Sequence, residues 1–107
     1  MANAPAGALV LAAGLLEVGM AVALKSSDGW TRPLPSALAL AAALGSIYLL
    51  ASAVRALPLS VAYAVWTGIG ALGVSLAGLF LFAEPLSIGR LFCMTLIFVG
   101  IAGLRTL

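Results

Sequence analysis

Four long apolar runs, separated by short polar segments, divide the 107-residue chain. Each run is close to the length of about 20 residues that a membrane-spanning helix needs. The predicted helices cover about residues 5–25, 36–54, 59–82 and 87–104. Pro35 and Pro58 suit helix starts, where a missing backbone N–H does no harm, and Pro85 bars continuation of the third helix. The pattern predicts an all-α integral membrane protein with one four-helix domain over residues 1–107.

Composition supports this fold class and excludes several functions. Hydrophobic residues make up 64% of the chain and charged residues only 7%, which is outside the range of soluble globular domains. Cys93 is the only cysteine and histidine is absent, so no intrachain disulfide and no cysteine or histidine metal cluster is expected. The net charge of +2 is scattered over helix ends. We therefore expect no metal, no cofactor and no nucleic-acid partner.

The positive charges are balanced across the predicted membrane. Lys25, Arg32 and Arg90 fall on the side of the first and third loops, whereas Arg55 and Arg105 share the other side with the terminal amine. The positive-inside rule acts on differences in Lys and Arg between the two sides. With so small a difference, the chain is expected to insert in both orientations.

Glu17 is the one charged residue between Ala6 and Leu24. A carboxylate near mid-membrane costs about 2.5–3.5 kcal/mol on insertion scales, and such residues commonly mark ion or proton pathways. No lysine or arginine within the apolar spans is available as its permanent partner, and Lys25 lies two helical turns away at the membrane boundary. A proton and a cationic ligand would compete for such a group, which is the basis of proton/cation exchange. The alternative is a carboxyl group held neutral by hydrogen bonds in helix packing.

Residues three and four positions from Glu17 share its helix face. Ala13 and Gly14 lie on one side and Met20 on the other. The two small residues leave space beside the carboxylate, which either a ligand or a closely packed helix could fill.

The third helix brings aromatic and flexible positions together. Tyr63 and Trp66 are three residues apart and project from one face, where they offer polar groups and ring surfaces to a cation. Their alternative role is in the aromatic belt at the membrane interface. Gly68 and Gly70 are candidates for a hinge, with tight helix packing as the other interpretation.

The second and fourth helices carry weaker signals. Ser46 is a polar residue in an apolar run, and a lone serine can satisfy itself on its own helix. Cys93 and Gly100 are one heptad apart, a spacing that suits a helix-packing seam between protomers.

Taken together, these motifs resemble the small multidrug resistance family of proton-coupled exporters. The resemblance covers nearly the whole chain and is carried by Glu17 with its flanking Leu16 and Val18, and by residues 29–36 and 62–66. The stretch 66–73, Trp-Thr-Gly-Ile-Gly-Ala-Leu-Gly, resembles the guanidinium-exporter subtype more than the quaternary-ammonium subtype.

The resemblance implies an antiparallel dimer of dual-topology protomers in the bacterial inner membrane, with both copies of Glu17 in one cavity. It implies that Glu17 binds protons and substrate, and that transport is proton antiport. Tyr63 would gate or orient around it, Trp66 would line the cavity, and Ser46 would belong to the polar network under the glutamate. The fourth helix would form the dimer seam.

One position departs from the family pattern. Guanidinium exporters typically have tryptophan three residues after the glutamate, where this chain has Met20. Methionine lacks the indole donor and is flexible, which predicts tolerance of alkylated or larger guanidinyl cations. A heterodimer with a paired family member is a further possibility. The rival functions are a broad quaternary-ammonium exporter and a non-transporting small membrane subunit. An intramembrane enzyme is disfavoured because no nucleophile–base pair is visible.

Overall fold

Four α-helices account for most of the chain in the computed structural model, which describes residues 5–106. The helices are α1 (Ala6–Ser26), α2 (Pro33–Ala53), α3 (Leu59–Leu81) and α4 (Ile88–Thr106). The first three are long and apolar enough to cross a membrane, whereas the apolar part of α4, Ile88–Leu104, is shorter. At 1.5 Å per residue, a 21-residue helix such as α1 is about 31 Å long, which matches the hydrocarbon core of a bilayer.

Helix α2 begins at Pro33, three residues before the predicted start at residue 36. The first residues of a helix need no intrahelical partner for their N–H groups, so Pro33 and Pro35 both fit into the first turn. The earlier start leaves only a short turn between α1 and α2.

Ser27 ties that turn together. Its buried hydroxyl donates a hydrogen bond to the Leu24 carbonyl (2.7 Å) and accepts one from the Trp30 backbone N–H (3.1 Å). Asp28, Gly29 and Trp30 all have positive φ values, so the chain reverses within a few residues. The turn holds α1 and α2 as antiparallel neighbours.

Helix α1 lies at the centre of the arrangement, packed against both α2 and α3. Among the described helices, α4 contacts α3 alone. The protomer is therefore flat, with extents of 38 × 35 × 17 Å. Its core is a small cluster around Leu9, Val10, Ala53 and Ala62. Most large apolar side chains face outward, as expected for helices surrounded by lipid or by a second protomer.

Candidate functional site

Glu17 lies close to the middle of α1, and its side chain points at α3. The carboxylate rests against Gly70, which is buried. A Cβ atom built on Gly70 would lie 3.2 Å from Glu17 Oε2 and 3.4 Å from its Cγ. The absence of a side chain at Gly70 is therefore what gives the carboxylate its place between the two helices.

Glycines bring α1 and α3 into close contact on both sides of this point. A Cβ on Gly14 would lie 2.6 Å from Ile69 Cγ2 and 3.6 Å from the Trp66 carbonyl oxygen. One turn further along, Val18 packs directly on Gly73. We call this set of contacts the α1–α3 interface. The space that the sequence predicted beside Gly14 is filled by another helix.

A hydrogen-bonded chain joins three helices one turn from Glu17. The Trp66 indole Nε1–H donates to Ser46 Oγ (2.8 Å), and the Ser46 hydroxyl donates to the Ala13 carbonyl (2.7 Å). Ser46 and Ala13 are both fully buried. The chain thus connects α3 to α2 and α2 to α1 in an interior where unpaired polar groups would be costly.

This series of hydrogen bonds does not reach the Glu17 carboxylate. In an α-helix the Glu17 backbone N–H donates to the Ala13 carbonyl, so that oxygen serves two donors. The Ser46 hydroxyl has one hydrogen, and the Trp66 indole has one N–H. Both are used within the chain, so neither group donates to the Glu17 carboxylate in this conformation. The family resemblance implied a polar network under the glutamate that includes Ser46; in the structure Ser46 bonds to the backbone of α1 at Ala13, and its part in a network with Glu17 remains a prediction.

Tyr63 and Trp66 lie side by side on α3. Their ring centroids are 5.2 Å apart with an interplanar angle of 63°, an edge-to-face arrangement. Tyr63 is 53% exposed, whereas Trp66 is partly buried and hydrogen-bonded to Ser46. In this pair the Trp66 ring is fixed by its hydrogen bond to Ser46, whereas the Tyr63 ring is exposed.

Met20 is partly exposed, one turn beyond Glu17. Its thioether side chain belongs to the same helix face as the carboxylate. It is thus positioned to affect what can lie beside Glu17.

Helix α3 is uninterrupted through both predicted hinge glycines. A Cβ on Gly68 would lie 2.6 Å from Ile101 Cδ1 of α4, whereas Gly70 faces Glu17 of α1. Each glycine therefore has a close helix contact in this conformation, and hinge motion at either remains a prediction.

The predicted dimer-seam residues lie on an open face of α4. Cys93 is exposed, and a Cβ on Gly100 would meet nothing within 4 Å. Cys93 and Gly100 are open to a partner as far as residues 5–106 are described, and the seam remains a prediction.

Sequence reasoning missed one contributor to the site, Ile69, although it lies in the stretch that carried the family resemblance. Gly70 and Gly73 are three residues apart, so they share the face of α3 that contacts α1. Among residues 5–106, no three His, Cys, Asp or Glu side chains are placed to hold a metal ion.

Comparison with known proteins agrees with the motifs. The family model described as Small Multidrug Resistance protein matches residues 7–97. A protein of Citrobacter freundii named Guanidinium exporter is 48% identical over 97 residues, which cover 91% of this chain and 92% of the relative. Proteins of the same name from Yersinia pestis and Proteus vulgaris are 46% and 42% identical, each over 91% of this chain and 93% of its own length. The resemblance inferred from the motifs is confirmed, and the chain belongs to the small multidrug resistance family.

Proposed function

We propose that this protein exports guanidinium or substituted guanidinyl cations in exchange for protons. The observation that carries the proposal is the position of Glu17. It lies at mid-span, against a glycine of the neighbouring helix, and it is the one charged residue between Ala6 and Leu24. Relatives named Guanidinium exporter, at 42–48% identity over most of the chain, support the choice of cation.

The chemistry of exchange follows from one carboxyl group with two possible occupants. A carboxylate binds a planar guanidinium ion through two parallel hydrogen bonds, which a protonated carboxyl group cannot reproduce. Glu17 releases its proton as it takes up the cation on the cytoplasmic side. After the site opens outward, external protons displace the cation. The proton gradient supplies the energy, so no cofactor is needed.

In this proposal the other site residues position α1, line the cavity and control access to Glu17. The bonds between Trp66, Ser46 and Ala13 support a fixed position for α1, so that the carboxylate meets its ligand in a defined geometry. Trp66 lines the cavity, and its exposed neighbour Tyr63 gates the cation's path to Glu17. In this proposal Gly68 and Gly70 provide the hinge as the cavity changes its side.

We propose that the transporting unit is an antiparallel homodimer in the bacterial inner membrane. The balanced positive charges are compatible with dual topology. The open face of α4 with Cys93 and Gly100 supports a seam there. Two copies of Glu17 would then share one cavity. A heterodimer with a paired family member is the alternative assembly.

Met20 sets the proposed substrate range. An indole at this position would add a donor and a rigid wall beside Glu17, whereas methionine adapts its shape to its neighbour. We therefore expect methylguanidinium and larger guanidinyl cations to be transported as well as guanidinium.

Electrophysiology on proteoliposomes containing the purified chain alone tests the proposal. Currents should appear with guanidinium and methylguanidinium under a proton gradient, and should be much smaller with tetramethylammonium. Larger currents with tetramethylammonium would make the protein a quaternary-ammonium exporter. An absence of current with every cation would identify a non-transporting subunit or a chain that needs a different partner.

A further inference from the structure

A second carboxylate rests against a glycine of α3, at the membrane boundary. The carboxylate of Glu84 lies on Gly78, whose added Cβ would be 2.7 Å from the Glu84 Cδ. The chain reverses here because the Gly78 carbonyl accepts hydrogen bonds from the backbone N–H groups of Phe82 and Glu84, both at 3.1 Å. Ala83 completes the reversal with a φ of +53°. The end of α3 is thus folded so that Glu84 points back along the helix.

Gly78 and Gly70 both face α1. Gly70 meets Glu17, and Gly78 borders a cavity of about 70 Å³ that is also lined by Ala21 and Lys25 of α1. Eight residues of α-helix separate the two glycines, which corresponds to about 12 Å along the helix axis. The α1–α3 interface therefore has a carboxylate at mid-membrane and another about two turns away at its outer end.

The outer carboxylate is accompanied by an aromatic ring that already holds a cation. The Lys25 ammonium lies 5.5 Å from the centroid of the Phe82 ring, within the range of a cation–π interaction. Phe82 and Glu84 line the same cavity as Lys25. The mouth of the α1–α3 interface thus combines an anion, a ring face and a cation that belongs to the protein.

We propose that Phe82, Glu84 and the backbone at Gly78 form an outer cation-binding site, which Lys25 occupies until a guanidinyl cation replaces it. The ligand class rests on the proposed function. A planar guanidinium ion can stack on the Phe82 ring while its N–H groups fork onto the Glu84 carboxylate. An ammonium offers no such fork, so the two cations are not equivalent at this site.

Lys25 is suited to the part of a tethered competitor. It is exposed at the end of α1, and its long stem allows the ammonium to swing into water. Competition from Lys25 keeps the affinity of the outer site low, so that a cation bound there dissociates readily.

Binding measurements in a background without the central carboxylate test the proposal. Glu17→Gln protein in lipid bicelles is titrated with guanidinium chloride against sodium chloride at constant ionic strength, and the backbone amide shifts of Gly78 and Glu84 are followed by NMR. Saturable shifts at these amides are expected with guanidinium and not with sodium. Adding Glu84→Gln should weaken the binding about tenfold or more, because a charge-assisted hydrogen-bond pair is lost.

Two further variants make the test specific. Lys25→Met should tighten binding about two- to fivefold by removing the competitor. Asp28→Asn removes a negative charge on the same side of the membrane, from the turn between α1 and α2, and should leave the affinity unchanged. Equal losses from Glu84→Gln and Asp28→Asn would overturn the site in favour of a general surface potential. So would an absence of saturable shifts, or an unchanged affinity in Lys25→Met. Because these are binding measurements without Glu17, they stand apart from transport: absent currents in the wild-type chain would refute the proposed function alone.

Discussion

Replacing Gly70 with alanine tests whether the glycine is what allows Glu17 to work. The added methyl carbon would lie 3.2 Å from Glu17 Oε2 and 3.4 Å from Cγ. The contact with Oε2 is a few tenths of an ångström shorter than an ordinary contact, and this atom is the end of a flexible side chain. We therefore expect the protein to fold and insert, with the carboxylate displaced from its position against α3.

The magnitude follows from the cost of overpacking. An extra methyl group in a well-packed interior costs about 1–3 kcal/mol. If that cost falls on the ligand-binding position of the carboxylate, cation affinity decreases about 5- to 150-fold. Proton-coupled guanidinium currents in proteoliposomes should show it as an increase in the half-saturating concentration.

Gly19→Ala is the matched control. It makes the same substitution in a membrane-spanning helix, two residues from Glu17, and its Cβ would meet nothing within 4 Å. Its half-saturating guanidinium concentration should equal that of the wild-type protein. If Gly70→Ala behaves like Gly19→Ala, the contact between Gly70 and Glu17 has no part in cation binding.

Three other predictions concern packing and selectivity. Ser46→Ala leaves the Trp66 indole N–H without its acceptor and should lower the free energy of unfolding in detergent by about 1–3 kcal/mol. Adding Trp66→Phe removes the unpaired donor and should restore part of that loss. If the losses of the two single variants simply add in the double variant, the hydrogen bond does not contribute to stability. Gly68→Ala should weaken the packing of α3 on α4 and lower the midpoint of thermal unfolding, because the new methyl group clashes with Ile101. Adding Ile101→Ala should relieve the clash. Equal unfolding midpoints for Gly68→Ala with and without Ile101→Ala would disprove that contact. Met20→Trp should raise the current ratio of guanidinium to methylguanidinium, and an unchanged ratio would show that this position does not set the substrate range.

The helices were predictable because bilayer thickness fixes their length. Three of the four helix starts lie within about one residue of the prediction. The exception was α2, because Pro33 and Pro35 are both compatible with a first turn and the sequence offers no means of choosing between them.

The mid-span position of Glu17 was also predictable, and a charge inside an apolar run is costly enough to need a reason. Its role in transport remains a prediction. The shared face of Tyr63 and Trp66 followed from helical periodicity and is seen as an edge-to-face pair. Neither inference required knowledge of how the helices pack.

The contacts between helices could not be predicted in this way. Whether Ser46 bonds to its own helix, to Ala13 or to Glu17 depends on the rotation and depth of α2 against α1, which hydropathy does not encode. The pairing of Glu17 with Gly70 likewise depends on the register of α3. Glu84 falls between the third and fourth predicted helices, and its contact with Gly78 could not be predicted because it arises from a backbone reversal with a positive φ at Ala83.

The most direct test of the central claim is proton-coupled guanidinium exchange by Glu17→Gln protein in liposomes. Glutamine keeps the size of the side chain, but its amide neither takes up nor releases a proton during transport and carries no charge to balance a cation. We predict that the variant folds and inserts like the wild-type protein and that guanidinium no longer drives proton movement. Exchange at the wild-type rate would show that proton and cation do not share the Glu17 carboxyl group, and the proposed mechanism would be wrong.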